Sequence, residues 1–198
     1  VVLVARVQAV LERRRAYEQM LRVDPLTRML NRPTLENEVR EELSRVERYK
    51  RFAGIVLLEP DDFEKVSAEN GAAMGDLLLT CLSGVILTQI HNVDKAGRFR
   101  GHRFLAYLPE TDEAGTEIFA KRMQEQLTKI ADSVAGYRLT FSCGLVNTPA
   151  DGTTVDALFN RVERALEHAK ERKPGSVAVW RRDVAEKEPG SRQSAPDI

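Results

Sequence analysis

Little in this sequence favours redox, thiolate or membrane chemistry. Two cysteines, Cys81 and Cys143, occur in 198 residues. Each sits inside an apolar segment, so the pair reads as two buried thiols rather than a disulfide or metal-binding couple. No uninterrupted apolar run of about 18 residues is present, so no membrane span is expected. The opening Val1-Val2-Leu3-Val4 lacks a basic leader and a small-residue cleavage site, so it is not read as a secretory signal. The first residue is not methionine, and the chain is expected to be a fragment of something longer. An excess of one charge is also missing. Thirty basic residues face thirty acidic ones, which removes the bulk-charge argument for a nucleic-acid partner or an anionic membrane surface. The expectation is a cytoplasmic protein.

What is present is enough for one core with appendages. Apolar residues make up 42% and charged residues 30%, and this length suits one domain. Residues 1–23 read as a helix: Leu3, Val7, Val10, Arg14, Tyr17 and Leu21 fall at spacings of four and three, a heptad-like seam with Arg14 interrupting it. The seam suits a parallel dimer stalk or a helix packed on its own or another domain. Residues 24–180 alternate helix and strand. Asp24-Pro25-Leu26-Thr27 breaks the first helix, with Asp24 or Thr27 as a cap. Leu35, Val39, Leu43, Val46 and Tyr49 mark an amphipathic helix. Ile55 to Leu58 is a continuous apolar run, as in a central strand. Met74, Leu77, Leu78, Cys81, Leu82, Val85 and Ile86 mark a strongly apolar helix after Gly75-Asp76. A hairpin over about 96–108, a helix carrying Phe119, Met123, Leu127 and Ile130, and a strand with Leu139, Phe141, Cys143 and Leu145 alternating follow. That alternation predicts one face in the core and one outward. A helix with Val155, Leu158, Phe159, Val162, Leu166 and Ala169 precedes an edge strand over Val177–Trp180. The order is β-α-α-β-β-α-β-α-β, an α+β fold with a central, mainly antiparallel five-stranded sheet flanked by helices. Residues 181–198, polar with prolines, read as a disordered tail.

Four segments carry a family resemblance. Asp24-Pro-Leu-Thr-Arg-Met-Leu-Asn-Arg32, Glu59-Pro-Asp-Asp-Phe-Glu-Lys-Val66 running on to Gly71 and Gly75-Asp76, Phe141-Ser-Cys-Gly144, and Ala165-Leu166 with Ala169-Lys170 stand in order at matching spacings. Together they resemble the GGDEF domain of diguanylate cyclases, from Asp24 to about Trp180. Separately, Leu3 to Arg14 resembles the closing helix of a bacterial receiver domain, which implies a response regulator in two-component signalling whose receiver is absent here.

The resemblance implies a reaction and also shows where this chain departs from it. In active members two GTP molecules on two facing domains join into cyclic di-GMP. That chemistry rests on positioning and on charge neutralisation by magnesium, which carboxylates and phosphates hold. Carried over by position, the strand acid is Glu59. The hairpin acids fall on His102 and Arg103, the first turn glycine on Arg100, and Gly101 and Phe104 are kept. Two unit charges about 4 Å apart near a surface interact by roughly 4 kcal/mol, so a divalent ion beside Arg103 meets about twice that in repulsion. Arginine does not shed its proton to relieve it. The guanine-binding asparagine aligns with Ser67 and its partner acid with Asp76, which also opens a helix and suits an N-cap. The lysine after the phenylalanine is Glu64. Lys170 matches a phosphate-binding lysine, or is an ordinary solvated helix residue, and Lys173-Pro174 replaces the glycine-arginine that follows. The feedback motif R-x-x-D, which binds the product, becomes His91-Asn92-Val93-Asp94, with Arg98 near enough to stand in for the lost arginine.

These departures imply a non-catalytic signalling domain with no cofactor, no resident metal and a protein partner. Arg98, Arg100, His102 and Arg103 would form a basic contact knob. Homodimerisation through the 1–23 helix remains open. The competing readings are a receptor for cyclic di-GMP or GTP, using Asp76, Lys170, Asp94 and Arg98, and a weak cyclase.

Overall fold

The structure, a computed structural model, describes residues 22–136 and 139–184, and Arg6 besides. The expected stalk helix, its last two residues and Arg6 apart, lies outside the described residues. Val23 bridges to Leu30 in an extended pair and so does not continue a helix.

Asn31 starts the first described helix, α1 (Arg32–Tyr49). Its side chain accepts the Thr34 N–H at 3.0 Å, and proline stands in the first turn, where its missing N–H costs nothing. The cap expected at Asp24 or Thr27 is therefore displaced. Asp24 instead accepts the N–H of Thr27 at 2.9 Å within a turn ahead of the helix. The chain continues through β1 (Ala53–Pro60), α2 (Phe63–Asn70), α3 (Ala72–Gln89), β2 (Lys95–Arg100), β3 (Arg103–Pro109), α4 (Glu113–Ala135), β4 (Phe141–Thr148), α5 (Val155–Arg172) and β5 (Val177–Val179).

The sheet order is β2-β3-β1-β4-β5. All pairings are antiparallel except β4 with β5. This is the expected five-stranded, mainly antiparallel α+β arrangement. β1 lies at its centre and is buried along all eight residues, which is why it reads as an unbroken apolar run. Alternate side chains feed two cores. Val56, Leu58, Leu78, Leu82, Phe104, Met123 and Leu127 pack on one side of the sheet. Leu35, Val39, Ile55, Leu57, Phe99, Val162 and Leu166 pack on the other.

β4 differs from its expected pattern. All eight of its residues are buried, so neither face is outward. Helix α5 covers the second face, and Gly144 is the reason it comes so close: a Cβ there would lie 2.3 Å from the carbonyl oxygen of Val162. Tyr49, read as part of the inward face of α1, is 58% exposed at the helix end. Of the cysteines, Cys143 is buried and Cys81 only half-buried, and both are free thiols. The edge strand stops at Val179, and Trp180–Val184 forms one π-helical turn. Asp183 accepts the N–H of Val179 at 2.8 Å, so the start of the expected tail is ordered.

One helix among the described residues, α3, is long and apolar enough to cross a membrane by length and composition. The expectation of no such segment missed it because Gly75, Asp76, Thr80, Ser83 and Gly84 punctuate the apolar run. In this fold α3 packs Leu78, Leu79, Leu82 and Ile86 into the first core.

Candidate functional site: a carboxylate enclosed by bases

Glu59 ends the apolar part of β1, where the ladder pairs it with Ser142. Its side chain is 5% exposed. Three bases converge on it. His102 Nε2 lies 2.9 Å from Oε1, and Lys170 Nζ donates to the same oxygen at 2.7 Å. Arg103 Nε stands 2.7 Å from Oε2. Burial by itself would raise the pKa of this carboxyl. The hydrogen bonds from His102 and Lys170, with the charges of Arg103 and Lys170, outweigh it and bring the pKa to about 2. Glu59 is thus a carboxylate at any ordinary pH.

The hairpin brings two of these bases in. β2 and β3 are joined through Gly101 and His102, and Gly101 adopts φ 57°, a left-handed conformation that glycine takes without penalty. His102 stacks on Phe63 at the start of α2, with ring centroids 4.9 Å apart. The third base, Lys170, comes from the last turns of α5.

A second acid, Asp61, holds the floor. It is 5% exposed and lies two residues on from Glu59. Its Oδ1 accepts from Ser142 Oγ at 2.8 Å. Its Oδ2 accepts from Thr140 Oγ1 at 2.7 Å and from the Gly175 N–H at 2.8 Å. Asp61 therefore ties the end of β1 to β4 and to the loop before β5. Sequence reading passed it over, although the two acids at i and i+2 were the available signal. Above this floor opens a cleft of about 390 Å³ lined by Glu59, Asp62, Phe63, Lys65, His102 and Lys170 among others.

The remaining hairpin bases are also paired inside the domain. Arg98 donates from Nε to the Gly101 carbonyl at 2.8 Å and from Nη1 to Asp24 at 3.2 Å. Arg100 and Arg103 both approach Glu163 on α5, at 3.7 and 3.8 Å. The side chains of Arg98, His102 and Arg103 are only 20–22% exposed, while Arg100 is 61% exposed. The knob of four free positive groups is thus corrected to one open arginine on a hairpin fastened by internal acids. Phe104 is a core residue, opposite Leu58 in the sheet.

Other assigned residues fall elsewhere. Lys170 is not a freely solvated helix residue, since Glu59 holds it. Asp76 is exposed inside α3 rather than at its start, because the helix begins at Ala72 after Gly71. Asp94 accepts the His91 N–H at 2.7 Å and shapes the turn before β2. Arg98, engaged by Asp24, is not joined to it by any hydrogen bond or ion pair among the described residues. The larger cleft, about 770 Å³, lies at the opposite end of β1 and β3, by Tyr49, Phe52 and Val93.

Comparison with known proteins fits this geometry. The family model for "Diguanylate cyclase, GGDEF domain" matches residues 21–176. The chain belongs to the GGDEF domain family. Among its relatives, diguanylate cyclase DgcP of Pseudomonas aeruginosa is 28% identical over 149 residues, covering 74% of this chain and 22% of that protein. Cyclic di-GMP phosphodiesterase PdeR of Escherichia coli is 26% identical over 174 residues, covering 85% and 26%. The chain therefore spans about a quarter of the length of these curated relatives. Among solved structures, diguanylate cyclase SiaD in complex with its activator SiaC from Pseudomonas aeruginosa superposes with a TM-score of 0.74 at 25% identity, covering 89% of this chain and 70% of that one. The GGDEF domain of DgcB from Caulobacter crescentus, in complex with c-di-GMP, has a TM-score of 0.74 at 17% identity, covering 81% and 96%.

Among the described residues no three His, Cys, Asp or Glu side chains converge as ligands. Both oxygens of Glu59 already face cationic groups, and Asp61 spends its oxygens on Ser142, Thr140 and Gly175.

Proposed function

We propose that this GGDEF domain is a non-catalytic signalling module in which internal bases have taken the place of metal at Glu59. The observation that carries the reading is the triple pairing of Glu59 with His102, Arg103 and Lys170. A divalent ion entering there has to displace three bases and then sit beside a guanidinium that stays charged. The relatives support separating the domain from the activity, because the matched stretch occurs both in a diguanylate cyclase and in a cyclic di-GMP phosphodiesterase.

The output of such a module is a protein contact. The complex of SiaD with SiaC is a precedent for a related chain engaging a protein. On this chain Arg100 is the hairpin base through which an acidic partner surface is reached, and the other three fix the hairpin's position. Residues 1–23 would connect the module to a receiver domain. The receptor reading has less behind it. The cleft is lined by Glu59, Asp61, Asp62 and Glu64 against Lys65, His102 and Lys170, a poor match for a triphosphate.

The deciding experiment incubates the chain with GTP and magnesium or manganese, and titrates it calorimetrically with GTP and with cyclic di-GMP. The expected result is no cyclic di-GMP and no heat of binding. Product that disappears in Glu59→Ala would establish a cyclase, and submillimolar binding of either nucleotide a receptor.

A further inference from the structure

We propose that the cleft lined by Tyr49, Phe52 and Tyr107, at the end of the sheet away from Glu59, binds a planar aromatic carboxylate. Its volume of about 770 Å³ lies within the size range of small-molecule sites. Tyr107, on β3, forms its floor. That residue is 0% exposed, yet its hydroxyl has no hydrogen-bond partner among the described residues. A buried O–H left unpaired costs free energy, so this one calls for an acceptor that arrives through the cleft. Burial, with the charge of Glu42 nearby, pushes the phenol above its ordinary pKa. It therefore stays a neutral donor.

The charge beside that donor selects an anion. Lys95 is the ladder partner of Tyr107 across β2 and β3, so the two side chains stand side by side on one face of the sheet. Lys95 is loosely held. Its Nζ lies 3.4 Å from Glu38, which has a closer partner in Arg22 at 2.5 Å. The other charges on the walls cancel in pairs, Arg45 with Glu42 at 2.7 Å and Arg51 with Glu110. Lys95 is thus the base on the lining that has no acid of the walls opposite it. An ammonium and a phenolic O–H together match the two oxygens of one carboxylate, the first by a charge-assisted bond and the second by a neutral one.

The rim selects the body of the ligand. Tyr49 is 58%, Phe52 46% and Val93 64% exposed, and they are three of the six large apolar side chains that stand open among the described residues. Their gathering round one opening marks a contact surface. The guanidinium groups of Arg48 and Arg51 lie 5.5 and 5.6 Å from the centroid of the Tyr49 ring and hold it in place. A flat ring entering beside Tyr49 and Phe52 gains stacking that an aliphatic acid does not. Cyclic di-GMP brings two phosphates and GTP three, where the walls offer one base without an acid of its own. None of His91, Asp94 and Arg98 lines this cleft, so it is separate from the feedback motif. It also does not depend on the function proposed above.

Titration of the isotope-labelled full chain with naphthoate, followed by amide chemical shifts, tests it. The expected result is saturable binding with a Kd below about 1 mM, with shifts gathered at Phe52, Val93, Lys95 and Tyr107. Lys95→Met should weaken binding about tenfold and Tyr107→Phe about fivefold. Neutral naphthamide, the same ring without the charge, should bind at least about tenfold more weakly than naphthoate. Tyr107→Phe should also raise the urea midpoint of the free chain, because it removes a hydroxyl that the fold leaves unpaired. Circular dichroism checks that each variant is folded. The proposal is overturned by the absence of saturable shifts at every soluble naphthoate concentration, or by shifts centred on His102 and Lys170 instead. It is overturned equally by naphthamide binding as well as naphthoate, or by an affinity indifferent to Lys95→Met or to Tyr107→Phe. A urea midpoint that does not rise in Tyr107→Phe would mean that the hydroxyl is satisfied within the fold, and the proposal fails then too.

Discussion

The hairpin tip and the outward face of α3 show opposite relations between composition and surface. The tip holds Arg98, Arg100, His102 and Arg103 within six residues, and its charges are mostly consumed inside the domain by Asp24, Glu59 and Glu163. The helix face holds Leu77, Thr80, Gly84 and Leu87, and none of these is buried. Charged residues here act as fasteners, and apolar ones stand in water. The difference is geometric. A two-residue turn at the end of a sheet lies above the strand end and beside α5, where acids from both reach it. A helix packed flat on a sheet has a far side that its own domain does not touch.

The sharpest way to break this contrast is to remove the acid. Glu59→Ala leaves His102, Arg103 and Lys170 crowded around a position that was 4% exposed. The expected loss is about 3 kcal/mol in urea unfolding, in the range for breaking a largely buried ion pair. A loss below about 1 kcal/mol would make the cluster a surface arrangement of little weight.

Acid titration tests the same point without mutation. The carboxyl of Glu59 moves from an ordinary 4.5 down to about 2 in the folded chain. A lowered value means the unfolded chain takes up its proton first. The stabilisation is then complete above pH 4.5 and lost as pH falls from there toward 2. After allowance for screening by water at the cleft mouth, it amounts to roughly 2 kcal/mol. Urea midpoints measured across that window should fall for the natural chain and fall less for Lys170→Met, which lacks one of the groups holding the value down.

The smallest expected effect is on the other side of the comparison. Leu77→Glu should change unfolding free energy by no more than about 0.5 kcal/mol, measured by urea unfolding. A loss of 2 kcal/mol or more would mean that Leu77 is packed after all, and the open face would be a misreading.

Much of the fold was legible because it rests on periodicity. The order of elements, the central strand and the inward stripe of α5 follow from spacings of 2 and 3.6. Where reading failed, a distant contact decided. β4 alternates in hydropathy, yet α5 buries its second face because Gly144 lets the helix approach. Asp24 carries a good capping side chain, but Asn31 caps α1 and Asp24 serves Arg98, 74 residues away in sequence. At the site, the identity of Glu59 and of the bases at 102, 103 and 170 could be read by position. That they meet on one carboxylate could not, and Asp61 and Glu163 escaped notice for the same reason.

The sequence by itself determined the family, the strand and helix order, and the presence of His102 and Arg103 at the hairpin turn, since these are fixed by residue type and local spacing. Only the tertiary structure decided what those bases do. Whether a base projects into water or turns onto an acid depends on which carboxylates the folded chain brings within about 3–4 Å, because hydrogen bonds and close ion pairs act only over that range. The same holds for α3, whose two apolar seams look alike in sequence and were told apart by the single face the sheet had room to cover.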